Sequence, residues 1–181
     1  RLLLVAWIGM CLSVVHAADP DKVLHYVFTA AETGFDPAVA HDLYSAQVIS
    51  SIYETLYTYD YLACPVKLVP LTASTMPQIS RDGKTYTITL KKGIYFADDP
   101  AFGGKKRELT ADDYIYSLKR LRDPRVRSAW SWLLEGKIAG LDDVAARAAK
   151  TGRFDYARTV SGLERVDRYT FRIHLNRPDY N

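Results

Sequence analysis

Ser80-Arg81-Asp82-Gly83-Lys84-Thr85-Tyr86-Thr87-Ile88-Thr89-Leu90-Lys91-Lys92-Gly93-Ile94-Tyr95-Phe96 is the stretch whose reading decides the fold. Asp82-Gly83 is a turn dipeptide, since glycine takes a positive φ without steric cost. After it, threonine alternates with Tyr86, Ile88 and Leu90, the period-2 pattern of a strand with one buried face. Lys92-Gly93 makes a second turn before Ile94-Tyr95-Phe96. The stretch Asp98 to Glu108 is a polar loop containing Pro100 and Gly103-Gly104, and Thr110 then opens a helix. Its hydroxyl can accept from the amide three residues on while Asp113 reaches back, a capping box with Asp in place of Glu. Tyr114, Leu118 and Leu121 form one stripe with Ile115 beside it. The helix is predicted to end near Asp123-Pro124, because proline disfavours helical geometry in the residue before it.

Working outward, Tyr169 to Leu175 alternates as a strand, and Asp142 to Lys150 reads as a short Ala-rich helix closed by Gly152. Leu62 to Pro77 is punctuated by prolines and is expected to run extended over a surface. From Asp42, a candidate N-cap, to about Leu56 the apolar positions Tyr44, Val48, Ile49, Ile52, Tyr53 and Leu56 follow helical spacing. Ala30 to Pro37 reads as a loop, and Val23 to Thr29 is rich enough in β-formers to predict a strand. Strands and helices thus mix in an α/β (mixed α+β) chain.

Arg1 precedes an apolar run from Leu2 to Val15, and Val15-His16-Ala17 suits signal-peptidase cleavage. The run is too short to span a bilayer. Residues 1–17 are therefore expected to be a cleavable signal peptide, with export to the periplasm. Met10 immediately before Cys11 argues against lipid attachment. With Cys11 removed, Cys64 would stand alone, either buried or paired outside this chain. In 181 residues the formal charge is only +3, with both signs interleaved, and Lys105-Lys106-Arg107 is too brief for a nucleic-acid groove. Thirteen tyrosines hint at a recognition surface.

The residues filling this frame are more specific than the frame itself. Ser80-x-Asp82-Gly83-Lys84-Thr85-Tyr86-Thr87-Ile88-x-Leu90-Lys91-x-Gly93-Ile94-x-Phe96 resembles the signature stretch of family 5 extracellular solute-binding proteins, which include oligopeptide and dipeptide receptors. Leu109 to Leu121 resembles its next landmark. Asp36-Pro37 followed by Ile52 to Tyr57 resembles an earlier one, and Val166-Asp167-x-Tyr169-Thr170-Phe171-x-Ile173-x-Leu175-x-x-Pro178 a later one. The inserted Gly103 to Glu108 loop departs from the family pattern. Family members are also much longer, so a longer chain is expected.

The resemblance implies a periplasmic-binding-protein-like class II bilobed fold, incomplete here. Residues 18–60 would start lobe I, and residues 61–181 would be mostly the smaller accessory domain leading back to lobe I. Alone, residues 18–181 are expected to fold poorly, with sheet edges unpaired. The implied function is the monomeric substrate-binding component of an ABC importer, taking a short peptide or peptide-like solute to membrane permease subunits. A receptor for a metal chelate, haem, an opine or a sugar stays open, as does a cell-envelope peptide-binding chaperone.

The resemblance also implies that the first loop and the start of the next helix line the cleft. His41 and Leu43 fall at ligand-lining positions and Trp130 near a ligand-facing aromatic. Glu32 and Thr33, like Phe35, lie close to the site. Each has a plainer role open to it: His41 could flank its helix, Leu43 could be core, and at least one of Trp130 and Trp132 is expected in the core. Enzyme readings fare worse. Asp112-Asp113 is explained by capping, Asp98-Asp99 cannot face one substrate together, and the histidines show no metal spacing. No catalytic residue, metal ligand or cofactor is expected.

Overall fold

In the computed structural model, residues 22, 23 and 25–179 are described. The expected signal peptide, with His16 and Cys11, lies outside them. Two compact units divide after Ala30. In the first, Tyr26 meets Phe28 edge to face, with centroids 5.5 Å apart and planes at 80°. The strand expected over Val23–Thr29 is not found among its described residues, which join neither sheet. Val23, Tyr26 and Val27 are exposed. β-propensity reports how a side chain suits a pleated, half-buried surface, and here that surface is missing.

The second unit begins with α1 (Leu43–Ile52), started by the Asp42 carboxylate accepting from Ser45 N at 2.8 Å. It stops short of the predicted Leu56 because Tyr53 is extended, with φ −121° and ψ 150°. Leu56 is instead claimed by the next element, its carbonyl accepting from Leu71 N and Ala73 N. That element is a hairpin of β1 (Tyr57–Tyr59) and β2 (Leu68–Pro70), antiparallel with Thr58 opposite Val69. Part of the stretch predicted to run extended over a surface is therefore paired. Cys64, in the hairpin loop, is exposed and not buried.

A four-stranded antiparallel sheet follows in the order β3-β4-β6-β5. Its strands are β3 (Gln78–Ile79), β4 (Thr85–Thr89), β5 (Leu163–Arg165) and β6 (Thr170–His174). Gly83 takes the expected positive φ of 68° in the turn before β4. The central pair sets Ile88 opposite Phe171 and Tyr86 opposite Ile173, so the apolar residues of both strands share a face. A one-residue slip would turn all of them to solvent, which fixes the register.

Two helices cover that face. The capping box of α2 (Ala111–Leu121) is formed as predicted, with both Thr110 and Asp113 engaged. Its deepest residues are Ala111, Ile115 and Lys119, so the buried stripe lies one position round from Tyr114, Leu118 and Leu121. Tyr114 stacks on Phe171 with centroids 5.7 Å apart and planes at 10°. Helix α3 (Leu141–Thr151) buries Leu141, Val144, Ala145 and Ala148 and ends at Gly152, φ 71°. Pro100–Phe102 forms a 3-10 turn capped by Asp99, and Ser131–Leu133 forms another. The core is the single layer between helices and sheet.

Candidate functional site

The loop from Ala31 to Asp42 is built by short polar contacts. The Asp36 carbonyl accepts from Val39 N at 3.0 Å and Ala40 N at 2.9 Å, and its carboxylate accepts from Ala38 N at 3.1 Å. Asp42 holds the other end. Beyond capping α1, it accepts from Thr33 Oγ1 at 2.5 Å, while Thr33 N donates to Ser45 Oγ at 3.0 Å. Ser45 is fully buried, so this small network is anchored from below. Hydrogen bonds from Ser45, then from Thr33, hold the Asp42 carboxyl far below its usual range.

Two side chains from distant sequence grip the same loop. Arg120 on α2 donates to both Asp36 oxygens, at 3.0 and 2.5 Å. That hydrogen bonding lowers the Asp36 pKa and raises that of Arg120. Trp130, beside the second 3-10 turn, donates its indole N–H to Ala40 O at 3.0 Å.

The expected ligand residues are placed as follows. Thr33 helps line a hollow of about 170 Å³, together with Gly34, Phe35, Asp36, Val39 and Ala40. His41 is exposed, its Nδ1 3.3 Å from Val39 O, in the helix-flanking position. Leu43 is 65% exposed and is not core. Glu32 is exposed. Trp130 is 37% and Trp132 63% exposed, so neither is buried, against the expectation that one would be core. The 3-10 turn Ser131–Leu133 buries none of its residues. The Trp130 donor is already used by Ala40, leaving its ring face as what it can offer. Thr33, His41, Leu43 and Trp130 thus gather around one loop and the start of α1.

A larger, apolar groove of about 470 Å³ lies elsewhere, between the sheet and Leu118, Leu133 and Leu134. Among the candidates, only Thr33 and Phe35 line either space. The Asp36–Arg120 pair was not foreseen, although both residues stand in quoted landmarks, because nothing local joins positions 84 apart.

Elsewhere, on the open face of the sheet, Thr85 Oγ1 lies 3.1 Å from His174 Nδ1, and His174 Nε2 lies 3.0 Å from Glu164. Thr85 and His174 are register partners, so this is a cross-strand ladder. Among the described residues, no group of three or more His, Cys, Asp and Glu side chains could hold a metal ion. Among the same residues, no helix is long and apolar enough to cross a membrane.

Comparison with known proteins follows the same outline. The family described as bacterial extracellular solute-binding proteins, family 5 Middle, matches residues 67–181. A dipeptide-binding protein of Lactococcus lactis is 32% identical over 124 residues, 68% of this chain and 20% of the relative. The periplasmic murein peptide-binding protein MppA of Escherichia coli is 30% identical over 143 residues, 79% of this chain and 23% of the relative. The chain therefore spans about a fifth to a quarter of the length of these curated relatives. Listeria monocytogenes OppA bound to peptide superposes with a TM-score of 0.64 at 26% identity, covering 83% of this chain and 26% of that one. Haemophilus influenzae OppA in complex with RPPGFSPFR gives 0.63 at 26% identity, with the same coverage of 83% and 26%.

Proposed function

The chain belongs to the family 5 bacterial extracellular solute-binding proteins, and from that premise we propose that it serves as the substrate-binding component of an ABC importer. In this reading it captures short peptides in the periplasm and delivers them to the membrane permease subunits. The observation that carries the reading is the likeness of its fold to relatives with peptide bound. The protein works as a monomeric receptor, without catalysis and without a cofactor. Residues 1–17 act as the cleaved signal peptide, 18–60 begin lobe I, and 61–181 are mostly the accessory domain leading back to it.

Binding in such a receptor is enclosure. A peptide presents its backbone amides and carbonyls at regular intervals, and its side chains enter roomy, hydrated pockets. His41, Leu43 and Trp130, with Glu32 and Thr33 beside them, supply part of one wall. Leu43 and the Trp130 ring give apolar contact, and His41 and Glu32 give polar tips that water can bridge. Lobe closure then presents the surface that the permease reads.

A thermal-shift screen of the protein with its full natural chain, against short peptides, amino acids, opines, sugars, haem, metal chelates and an unfolded protein chain, tests this. A midpoint that rises with short peptides in proportion to the logarithm of their concentration is expected. A shift only with haem, an opine, a sugar or a chelate would replace the peptide as substrate. Binding of unfolded chains without length preference would mark a chaperone.

A further inference from the structure

Asp36 is the node of the loop. Its carboxylate and carbonyl together receive the amides of Ala38, Val39 and Ala40, so whatever fixes Asp36 fixes the turn leading to His41. The Arg120 guanidinium grips it with two parallel bonds, a fork that matches a carboxylate in distance and plane.

Arg120 in turn projects from a hydrogen-bonded floor. Beside it lie the rings of Tyr116 and Tyr156, 4.9 Å apart. The Tyr156 hydroxyl donates to Asp123, which is 3% exposed, at 2.8 Å. On the same helix, buried Lys119 donates to the carbonyls of Tyr156 and Arg158 at 2.9 Å each. The position of Arg120 is therefore set by α2 and the segment after α3, not by the loop it holds.

We infer that Arg120 is a positioning residue for solute binding: through Asp36 it holds the Thr33–Asp42 loop in the conformation that presents its side chains to the ligand. This rests on the proposed reading that the loop lines the cleft. A loop ordered before binding spares the ligand the cost of ordering it. The pair itself is partly exposed, with side-chain accessibilities of 30% and 39%, so solvent screens its direct effect on folding. Affinity should therefore respond more than stability, which separates positioning from a merely structural role.

The test uses the protein with its full natural chain and titration calorimetry with tri- to penta-alanine, with sugars and a metal chelate as comparison solutes. Arg120→Gln and Asp36→Asn are each expected to weaken the solute that wild type binds by about tenfold, or ~1.4 kcal/mol. The double variant should be no weaker than either single, and Arg120→Lys should retain part of the affinity. Hydrogen exchange at Ala38, Val39 and Ala40 should quicken in Arg120→Gln while the denaturation midpoint stays nearly constant. Affinity within twofold of wild type in Arg120→Gln, or losses that add in the double variant, would overturn the inference and leave the receptor reading intact. Wild type that binds none of these solutes would sink the receptor reading, and the inference with it.

Discussion

Replacing Phe171 by alanine probes the one layer on which the sheet and α2 depend. The ring is 0% exposed, faces Ile88 across the central strand pair and stacks on Tyr114. Truncating a buried phenylalanine costs about 3–5 kcal/mol, according to how far the site can collapse. Collapse is limited here, because β4 and β5 flank β6 on both sides and α2 covers it. We therefore expect about 4 kcal/mol, a large share of the ~5–15 kcal/mol that holds a domain together. Urea denaturation followed by far-UV circular dichroism, on the protein with its full chain, reads the change directly. Phe96→Ala is the control. Its ring is 39% exposed, with the Arg107 guanidinium 4.6 Å from its centroid, and about 1 kcal/mol is expected. If Phe171→Ala cost no more than that control at an unchanged m-value, the single-layer core would be wrong.

Other outcomes follow from single features. Thr110→Ala removes half of the α2 capping box and should cost about 1 kcal/mol in the same assay. Gly162→Ala would place a Cβ 2.6 Å from Ala139 N, so a loss near the upper end of ~1–3 kcal/mol is expected, although the substitution is small. Asp36, Glu108 and Glu164 all have lowered pKa values, held first by Arg120, by Gly93 N and by His174 respectively. In acid the unfolded chain then binds more protons than the folded one. Their contribution is thus complete above the ordinary carboxylate range and lost as pH falls through it. Denaturation midpoints should decline from about pH 5 downward, and a flat profile to about pH 3 would refute the assignment.

What could be read in advance was what local rules determine. The Asp42 cap, the Thr110–Asp113 box, the Asp82-Gly83 turn and the Gly152 stop each involve residues within a few positions of one another. The alternation of β4 and β6 was legible because five residues suffice to show a period of two. The three-residue strands β1, β2 and β5 are too short to show one, and only pairing reveals them. The described residues of Val23 to Thr29 show the converse, β-forming residues without a ladder in either sheet. At the proposed site, the family resemblance pointed to the loop and to Trp130. The direction of the indole N–H and the grip of Arg120 on Asp36 depend on contacts 90 and 84 residues apart. No window of sequence holds both ends of either contact.

The central strand pair has a consequence for how this chain can vary. Thr89 and Thr170 meet across β4 and β6 although they stand 81 positions apart, and both long helices and the polar loop before Thr110 lie between β4 and the return of the chain to the sheet at β5. The polar loop is pinned at its own base, where Phe96 N donates to Arg107 O and Leu109 N to Ile94 O, so its closure cost depends on its own length and grows only with the logarithm of it. Adding ten residues there roughly doubles the loop and costs about 0.6 kcal/mol, below the effect of one lost methylene group. The segment around Gly103-Gly104 can therefore lengthen, shorten or change its charge while the ladder beneath stays in register. Its surface is free to diverge under selection by whatever it meets.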